Sequence, residues 1–390
     1  MKKKEINSAR VPVYRDSGFE LHDAGTTSAA FTKETEHSRE PDTYIYSRYR
    51  NPTVVAAEEE VMKVEKCDWA LLTETGMAAI DTAVSIFQKG ADTKPWLFFT
   101  EIYGGTISYI NSVLRDRRGL SISTFGPVDG KYNLVEFEKM IKELRPAFVY
   151  AETISNPLLV VADIPELCRI ARKYDARVIV DNTFASPYLF RPLEHGADIV
   201  IHSATKYLSG HGNLTAGAIC GNDTSLMKQA IEYRKFTGHM LSPDDAYRLS
   251  TQILTFRLRF EQQCKNASMM ADLFRESAVI SRVFYPRMKD HPTCEISARL
   301  FGGKLPGGML TIDFKGANAG EMRMRRDKFI AAVSETIKLI PTLGDPHTIL
   351  MPVEAVWGAK YPEPGMLRIS AGFEESGELK TVVVKALERL

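Results

Sequence analysis

The stretch VIHSATKYLSGHGNLTAG, residues 200 to 217, decides how the rest of the chain is interpreted. Lys206 stands at its centre, shortly after the apolar segment 197 to 201, whose β-branched residues predict a short buried strand. Burial penalises an ammonium group and lowers its pKa, so a lysine at the end of such a strand can become a nucleophile. A surface lysine that keeps its ammonium group in water is the commoner case. Lys206 alone therefore does not decide between these alternatives.

The composition is that of an ordinary globular protein. The chain has 390 residues, of which 44% are hydrophobic and 25% charged, and this length predicts two or three domains. The net charge of +1 gives no reason to expect binding to nucleic acid or to an anionic membrane. No segment approaches the roughly 18 apolar residues of a membrane span.

The expected location is the cytoplasm. The basic start, Met1-Lys2-Lys3-Lys4, is not followed by the apolar segment of a secretion signal. The five cysteines are scattered and lack CxxC spacing, which predicts reduced thiols and shows no zinc-binding pattern.

Strand and helix patterns alternate over the first two thirds of the chain. Short apolar strands are predicted at 67–74, 96–99, 120–125, 147–152, 177–181, 197–201 and 216–220. Helical patterns lie between most of them, which is typical of an α/β fold with an open, mostly parallel sheet covered on both faces.

The remainder of the chain predicts a smaller α+β domain. Residues 244 to 276 are strongly helical and are expected to form one long linker helix. Further helices are predicted at 326–337 and 376–387, with strands at 280–284, 308–314 and 367–371. Residues 1 to 43 are polar and irregular and are expected to form an arm that is mobile or lies on another subunit.

Polar residues follow five of the predicted strands, at Thr75-Gly76, Tyr103, Asn156, Asp181 and Lys206. Ligands of open α/β sheets bind beyond the carboxyl ends of the strands, so we expect these segments to converge on one cleft. Their convergence matters because each segment has an ordinary structural explanation when it is taken singly.

These segments together offer a consistent set of chemical groups. The turn before residue 76 opens a predicted helix and can bind an anion or simply cap the helix. Asp181 can pair with a protonated ring nitrogen or cap the following segment. Tyr103, beside two glycines, can stack on a planar ligand or pack in the core. With a lysine for an aldehyde, the set meets the requirements of pyridoxal phosphate.

The chain resembles the trans-sulfuration family, the pyridoxal-phosphate enzymes of cysteine and methionine metabolism, from about residue 20 to the end. The resemblance rests on eight ordered motifs, YSRYRNPT at 46–53, GMAAI at 76–80, YGGT at 103–106, NP at 156–157, DNT at 181–183, SATKY at 203–207, TLG at 342–344 and LRIS at 367–370. It implies the pyridoxal-phosphate-dependent transferase-like fold of type I, with an arm at 1–60, a large cofactor-binding domain at 61–250 and a C-terminal domain at 251–390.

The resemblance also implies roles for individual residues. Lys206 matches the Schiff-base lysine that moves protons at the substrate carbons, and Asp181 matches the partner of the pyridinium nitrogen. Tyr103 matches the ring-stacking tyrosine, a candidate acid toward the leaving group. The remaining cofactor-binding positions are Gly76, Met77, Ser203 and Thr205 for the phosphate, Asn156 near the 3-hydroxyl, and Thr183.

Residues of the arm and of the C-terminal domain complete the implied site. Tyr46 and Arg48 match residues that reach the phosphate of a neighbouring subunit, in a family that is usually a homotetramer of two such dimers. Arg368 matches the arginine that grips the substrate carboxylate, assisted by Thr342, where many relatives carry serine. Asn156 is expected to contact substrate as well as cofactor.

The motifs leave the particular sulfur amino acid open. Gly212 resembles methionine γ-lyases and sulfhydrylases more than cystathionine enzymes, and Asp345 and the stretch 235 to 246 resemble methionine γ-lyases. Methionine γ-lyases, however, usually carry cysteine at the position of Gly105. Cystathionine-handling enzymes often carry glutamate at the position of His347. The sequence therefore favours a lyase that eliminates from Cγ of L-methionine or a related amino acid. Cystathionine γ-synthase or a cystathionine γ- or β-lyase is the second interpretation, and O-acetylhomoserine sulfhydrylase the third.

Overall fold

A computed structural model describes residues 8–34, 41, 43–88, 90 and 94–390. The basic start of the chain, residues 1 to 4, lies outside the described residues. The strands are β1 Trp69–Thr73, β2 Trp96–Phe99, β3 Ile122–Phe125, β4 Phe148–Glu152, β5 Arg177–Asp181, β6 Ile199–His202, β7 Gly217–Gly221, β8 Ile280–Phe284, β9 Met309–Phe314, β10 Lys338–Leu339, β11 Ile349–Pro352 and β12 Met366–Ser370.

The helices alternate with the strands of the first sheet and then surround the second. They are α1 Ala24–Glu34, α2 Pro52–Glu65, α3 Gly76–Ser85, α4 Gly104–Tyr109, α5 Leu134–Leu144, α6 Ile164–Lys173, α7 Ser186–Leu189, α8 Thr224–Thr237, α9 Pro243–Gln252, α10 Phe256–Glu276, α11 Cys294–Leu300, α12 Ala319–Val333, α13 Val353–Trp357 and α14 Ser376–Leu387. A π-helical segment, Ile110–Arg115, continues α4.

The first sheet has seven strands in the order β1-β7-β6-β5-β4-β2-β3. Neighbouring strands run parallel except where β7 pairs with β1 and β6. Five of the strands, β1, β2, β4, β6 and β7, are buried at every position, as expected when helices cover both faces of a mostly parallel sheet. The α/β fold with a mostly parallel sheet is confirmed.

The second sheet belongs to the C-terminal part of the chain and has the order β10-β11-β12-β9-β8. Only β10 and β11 run parallel in it, and α10, α12 and α14 pack against it around a separate buried cluster that includes Phe274, Leu310 and Val383. This is the smaller α+β unit expected from the sequence. The domain boundaries at residues 60 and 250 stay predictions.

Three predicted elements differ from the structure. The long helix expected at 244–276 is interrupted by a 3₁₀ turn, Ile253–Thr255, which turns Arg259 back toward the carbonyl of Gln252. The helix expected at 326–337 begins earlier, because Asn318 caps it by accepting the backbone N–H of Glu321. The region 1–43, expected to be irregular, contains the helix α1. The helix α8 was not predicted at all. No helix among the described residues is both long and apolar enough to cross a membrane.

Candidate active site

The five polar segments at the strand ends line one cavity of about 600 Å³. Large-domain residues form one side of it, and residues of the C-terminal part close the other side. The predicted cofactor and substrate residues that line it are Gly76, Met77, Tyr103, Asn156, Asp181, Thr183, Ser203, Thr205, Lys206, Thr342 and Arg368. The roles assigned to these residues stay predictions, although the structure places all of them together.

Lys206 follows β6 in a compact turn. Its Nζ donates a hydrogen bond to the hydroxyl of Thr342 at 2.8 Å. Burial, reinforced by the nearby guanidinium of Arg368, lowers the pKa of Lys206 to about 8. A substantial fraction of the amine is therefore neutral in mildly alkaline solution and available as a nucleophile or base.

Arg259 of α10 stabilises the turn that carries Lys206, called the lysine turn below. The guanidinium donates to the carbonyls of Tyr207 and Leu208, each at 3.1 Å, and to that of Gln252 at 2.9 Å. Gly210 has a φ of +66°, and a Cβ there would overlap this guanidinium. The turn is therefore fixed by both its own backbone geometry and a buried cation.

The phosphate-binding positions predicted at 76 and 203 lie against each other. Thr75 caps α3 by accepting the backbone N–H of Ala78 at 3.0 Å. A Cβ on Gly76 would lie 2.9 Å from both Cβ and Oγ of Ser203, so glycine leaves the first turn of α3 open toward the serine. Free N–H groups of a helix start beside a hydroxyl fit a phosphate group.

Asp181 ends β5 and is 9% exposed. Its carboxylate accepts the backbone N–H of Thr183 at 2.9 Å and the hydroxyl of Tyr150 at 3.3 Å. Burial raises the pKa of Asp181, while these donors and the neighbouring His202 act in the opposite direction. A cationic ring nitrogen would supply the missing compensation for a buried carboxylate.

Glu152 is a second buried carboxyl group that was not among the predicted site residues. It ends β4, is paired in register with Asp181 on β5, and lines the same cavity. One carboxyl oxygen accepts the backbone N–H of Tyr103 at 2.6 Å. Burial and the charge of Asp181 raise the pKa of Glu152 well above its usual value. Its place at the end of an apolar strand is the same sequence signal that identified Asp181.

Tyr103 lines the cavity and is 48% exposed. A Cβ added to Gly105 would overlap its ring, so the absence of a side chain at 105 makes room for the tyrosine as it stands. The cysteine that methionine γ-lyases usually carry at this position would therefore fit here only if Tyr103 moved.

Arg368 reaches the cavity from β12 and is almost fully buried. Its guanidinium donates to the carbonyl of Thr342 at 2.9 Å and to the side-chain oxygen of Asn156 at 3.3 Å. Burial lowers the pKa of Arg368 to about 10, so the group stays cationic at neutral pH and is poorly solvated. Such a desolvated guanidinium is suited to a carboxylate ligand.

Gly212 and Asp345, which both resemble methionine γ-lyases in the sequence, lie against each other. Gly212 has a φ of +61°, and a Cβ there would lie 2.9 Å from both carboxylate oxygens of Asp345. His347 is exposed and is not part of the cavity lining. The position that often carries glutamate in cystathionine-handling enzymes therefore contributes nothing to the cavity wall in this structure.

Tyr46 and Arg48 do not line the cavity of their own chain. Tyr46 is 41% exposed, and the guanidinium of Arg48 lies 5.5 Å from its ring centroid and donates to the carbonyl of Lys235 at 2.6 Å.

The apolar outer wall of the cavity, formed by residues such as Met351 and Trp357, was also not predicted. Residues 349 to 361 carry no motif that distinguishes them from ordinary core.

The fold and this cavity define a class of protein, an α/β enzyme in which a lysine at a strand end can hold an aldehyde cofactor. The chain matches the family described as Cys/Met metabolism PLP-dependent enzyme over residues 1–388, and it belongs to that family. Pyridoxal phosphate is accordingly its cofactor, and the open first turn of α3, the depressed lysine pKa and the buried acid at Asp181 fit that group.

Its relatives include enzymes of more than one specificity. The chain is 31% identical to a cystathionine beta-lyase of Lactococcus lactis subsp. cremoris, covering 99% of this chain and 96% of that protein. It is also 31% identical to an L-methionine gamma-lyase of Pseudomonas putida, covering 97% and 92%. A solved cystathionine gamma synthase of Xanthomonas oryzae pv. oryzae superposes with a TM-score of 0.85 at 26% identity, covering 97% of this chain and 93% of that chain. The chain is thus similar to several carbon–sulfur enzymes and is a PLP-dependent lyase or synthase of cysteine and methionine metabolism.

Proposed function

We propose that the protein is a carbon–sulfur lyase that eliminates the thiol from Cγ of L-methionine or a closely related amino acid. With methionine and water, the products are 2-oxobutanoate, ammonia and methanethiol. The observation that carries this choice is the apolar outer wall of the cavity, where Leu343, Met351 and Val356 lie. Glu152 and Asp181 are the acidic side chains among the described lining residues, and both lie at the ends of central strands.

A distal amino-acid head group finds no partner in that wall. Cystathionine carries a second ammonium and a second carboxylate, and charged groups are costly to bury without partners. The methylthio group of methionine needs only apolar contact, which Leu343 and Met351 offer. The exposed position of His347, away from the lining, supports the same choice.

The residues have distinct tasks in this proposal. Bound pyridoxal phosphate supplies the electron sink that stabilises negative charge at the substrate α-carbon. Arg368 binds the substrate carboxylate and so orients the α-hydrogen. Lys206, with its lowered pKa, accepts that proton and returns protons to neighbouring carbons. Tyr103 at the cavity mouth stacks on the cofactor and can donate a proton to the departing thiolate.

We also propose that each active site is shared by two subunits of a homotetramer. Tyr46 and Arg48 would reach the cofactor phosphate of a neighbouring chain, a role supported by their exposed position away from their own cavity. A cytoplasmic location completes the proposal. It is supported by the five cysteine side chains, all of which are free thiols.

A substrate panel tests the proposed reaction. The holoenzyme would be offered methionine, cystathionine, cysteine, homocysteine, and O-acetylhomoserine with sulfide, while 2-oxobutanoate, pyruvate and thiol are measured. We expect 2-oxobutanoate and methanethiol from methionine at the highest kcat/KM. Pyruvate from cystathionine, without 2-oxobutanoate from methionine, would instead identify a cystathionine β-lyase.

A further inference from the structure

We infer that Trp357 determines substrate specificity by restricting the cavity to amino acids with a short, uncharged group beyond Cγ. The inference rests on the proposed function and names the residue that enforces it. Trp357 is the last residue of α13 and lines the same cavity as Tyr103, Gly104 and Gly105.

The indole ring lies between the two parts of the protein that enclose the substrate. The guanidinium carbon of Arg368 is 5.5 Å from the ring centroid. A Cβ on Gly104 would lie 3.6 Å from the indole nitrogen, an ordinary van der Waals contact. A substrate whose carboxylate pairs with Arg368 would therefore lie close to this ring.

The segment that carries Trp357 is fixed to both domains. Val353, Tyr361 and Met366 form a buried cluster against which Trp357 packs. The hydroxyl of Tyr361 donates to the carboxylate of Glu101 at 2.6 Å. The ring thus packs on a cluster that is itself tied to the first sheet's part of the chain by the hydrogen bond of Tyr361.

Additional contacts anchor the same segment. Lys360 donates to the carbonyl of Thr100 at 2.7 Å, which adds a second contact with the large domain. Glu354 pairs with Arg323 and with Arg326 of α12. These contacts fix the backbone that carries Trp357, and the ring itself packs on Tyr361 and on the buried cluster, so it can act as a wall of the cavity.

The electrostatics of this wall select against a second charged head group. One face of the indole already receives the guanidinium of Arg368, whose lowered pKa reflects poor solvation. A distal ammonium would be placed near a like charge and would gain no cation–π contact from the face that the arginine occupies. A methylthio or ethylthio group would instead gain apolar contact with the ring.

The test compares Trp357→Ala and Trp357→Phe with the parent holoenzyme. We expect Trp357→Ala to raise the ratio of kcat/KM for cystathionine over methionine by about tenfold, the scale on which one apolar contact discriminates substrates. Trp357→Phe keeps an aromatic ring and should shift the ratio in the same direction by a smaller factor, so it provides the test should the alanine variant fail to fold. Met324→Ala removes another apolar side chain of the same domain, 47% exposed, and should leave the ratio unchanged.

A binding measurement separates recognition from turnover. Norleucine, which has the shape of methionine but no leaving group, would be titrated calorimetrically into each holoenzyme, and its Kd should weaken in Trp357→Ala. The inference about Trp357 fails, and the proposed function stands, if the parent enzyme turns over methionine while Trp357→Ala changes neither the cystathionine-to-methionine ratio of kcat/KM nor the norleucine Kd. A parent enzyme that releases nothing from methionine overturns the proposed function.

Discussion

The hydrogen bond between Lys206 Nζ and the hydroxyl of Thr342, 2.8 Å long, joins the lysine after β6 to the C-terminal part of the chain. The backbone carbonyl of the same threonine accepts a hydrogen bond from the guanidinium of Arg368. One residue thus positions both the lysine and the arginine of the proposed site. Its hydroxyl and its backbone make separable contributions.

Replacing Thr342 tests the first of these contributions. Thr342→Val keeps the backbone contact with Arg368 but removes the acceptor for Lys206, and a hydrogen bond to a charged group contributes about 1.5–3 kcal/mol. We expect kcat/KM for the preferred amino acid to fall about tenfold to a hundredfold. Thr342→Ser retains the hydroxyl and should stay within about twofold of the parent, and equal losses in both variants would argue against the bond.

The contact between Gly212 and Asp345 predicts a measurable steric cost. Gly212→Ala should lower the free energy of unfolding by about 1–2 kcal/mol for the left-handed backbone, with a further loss from the collision with the carboxylate. Gly238 is a matched control, because it has a φ of +80° and nothing near its missing Cβ. In denaturant titrations Gly212→Ala should lose more than Gly238→Ala, and adding Asp345→Ala should recover the difference. An equal loss at both glycines would contradict the contact.

The raised pKa of Glu152 predicts how the stability of the cofactor-free protein depends on pH. Between the usual pKa of 4.5 and the raised value, Glu152 is protonated in the folded protein but ionised in the unfolded chain. The free energy of unfolding therefore decreases as the pH rises through that range. Glu152→Gln is neutral at every pH and keeps an acceptor for the Tyr103 N–H. Its stability should therefore improve relative to the parent as pH rises above about 5.

Glu138 provides the control of opposite sign. Its pKa is lowered by hydrogen bonds from Lys173 and Tyr174, so its contribution to stability is present above pH 4.5 and is lost as pH falls. Glu138→Gln should lose stability relative to the parent above that pH, in contrast to Glu152→Gln. Parallel pH profiles for the parent and Glu152→Gln in guanidinium titrations would show that Glu152 is not protonated in the folded state.

Arg259 should be needed for the shape of the lysine turn. Arg259→Met leaves the carbonyls of Tyr207 and Leu208 without the guanidinium donor, whereas that of Gln252 still accepts the hydroxyl of Thr255. Each unsatisfied buried acceptor costs about 1–3 kcal/mol. Arg259→Lys restores the charge but cannot reproduce the planar arrangement of donors, so we expect only partial recovery. Thermal unfolding and the Kd for pyridoxal phosphate would be measured in both variants. Unchanged cofactor affinity in Arg259→Met would show that the turn holds its shape without the arginine.

Subunit mixing tests the shared active site. Lys206→Ala and Arg48→Ala should each be nearly inactive alone. If Arg48 serves the neighbouring chain, a hybrid dimer of the two variants contains one site with both residues intact. Random coassembly should then restore about a quarter of parental activity, because half of the dimers are hybrids and each has one working site. As a control, the Lys206→Ala, Arg48→Ala double variant mixed with Lys206→Ala should restore no activity. If the first mixture also shows no recovery, Arg48 does not belong to a shared site.

The fold was largely predictable because its central strands are continuous apolar runs. Phe148–Glu152 and Arg177–Asp181 are recognisable from their β-branched and aromatic residues, and the polar residues at their ends identified the cavity. The interruption at Ile253–Thr255 was not predictable from periodicity, because helical patterns flank it on both sides. It depends on the tertiary contact of Arg259 with the lysine turn.

The substrate side of the cavity was less predictable than the cofactor side. Most of the residues proposed to hold the cofactor lie at or just after strand ends, where position in the fold follows from local sequence. Trp357 reaches the cavity from a five-residue helix whose place depends on contacts with Glu101 and Thr100, far away in the chain. Such contacts leave no periodic signal, which is why the motifs indicate the cofactor more sharply than the amino acid.

The antiparallel strand β7 has a consequence for the synthesis of the protein. Strand β1 lies at the edge of the sheet and pairs with β7 alone, through residues 69–73 and 217–221. A nascent chain shorter than about 221 residues therefore lacks the partner strand of β1, so that pairing does not yet hold α3, which follows β1, beside Ser203. We expect the ribosome-bound chain to gain affinity for pyridoxal phosphate only after β7 has emerged, so cofactor capture would report on completion of the sheet rather than on the appearance of Lys206.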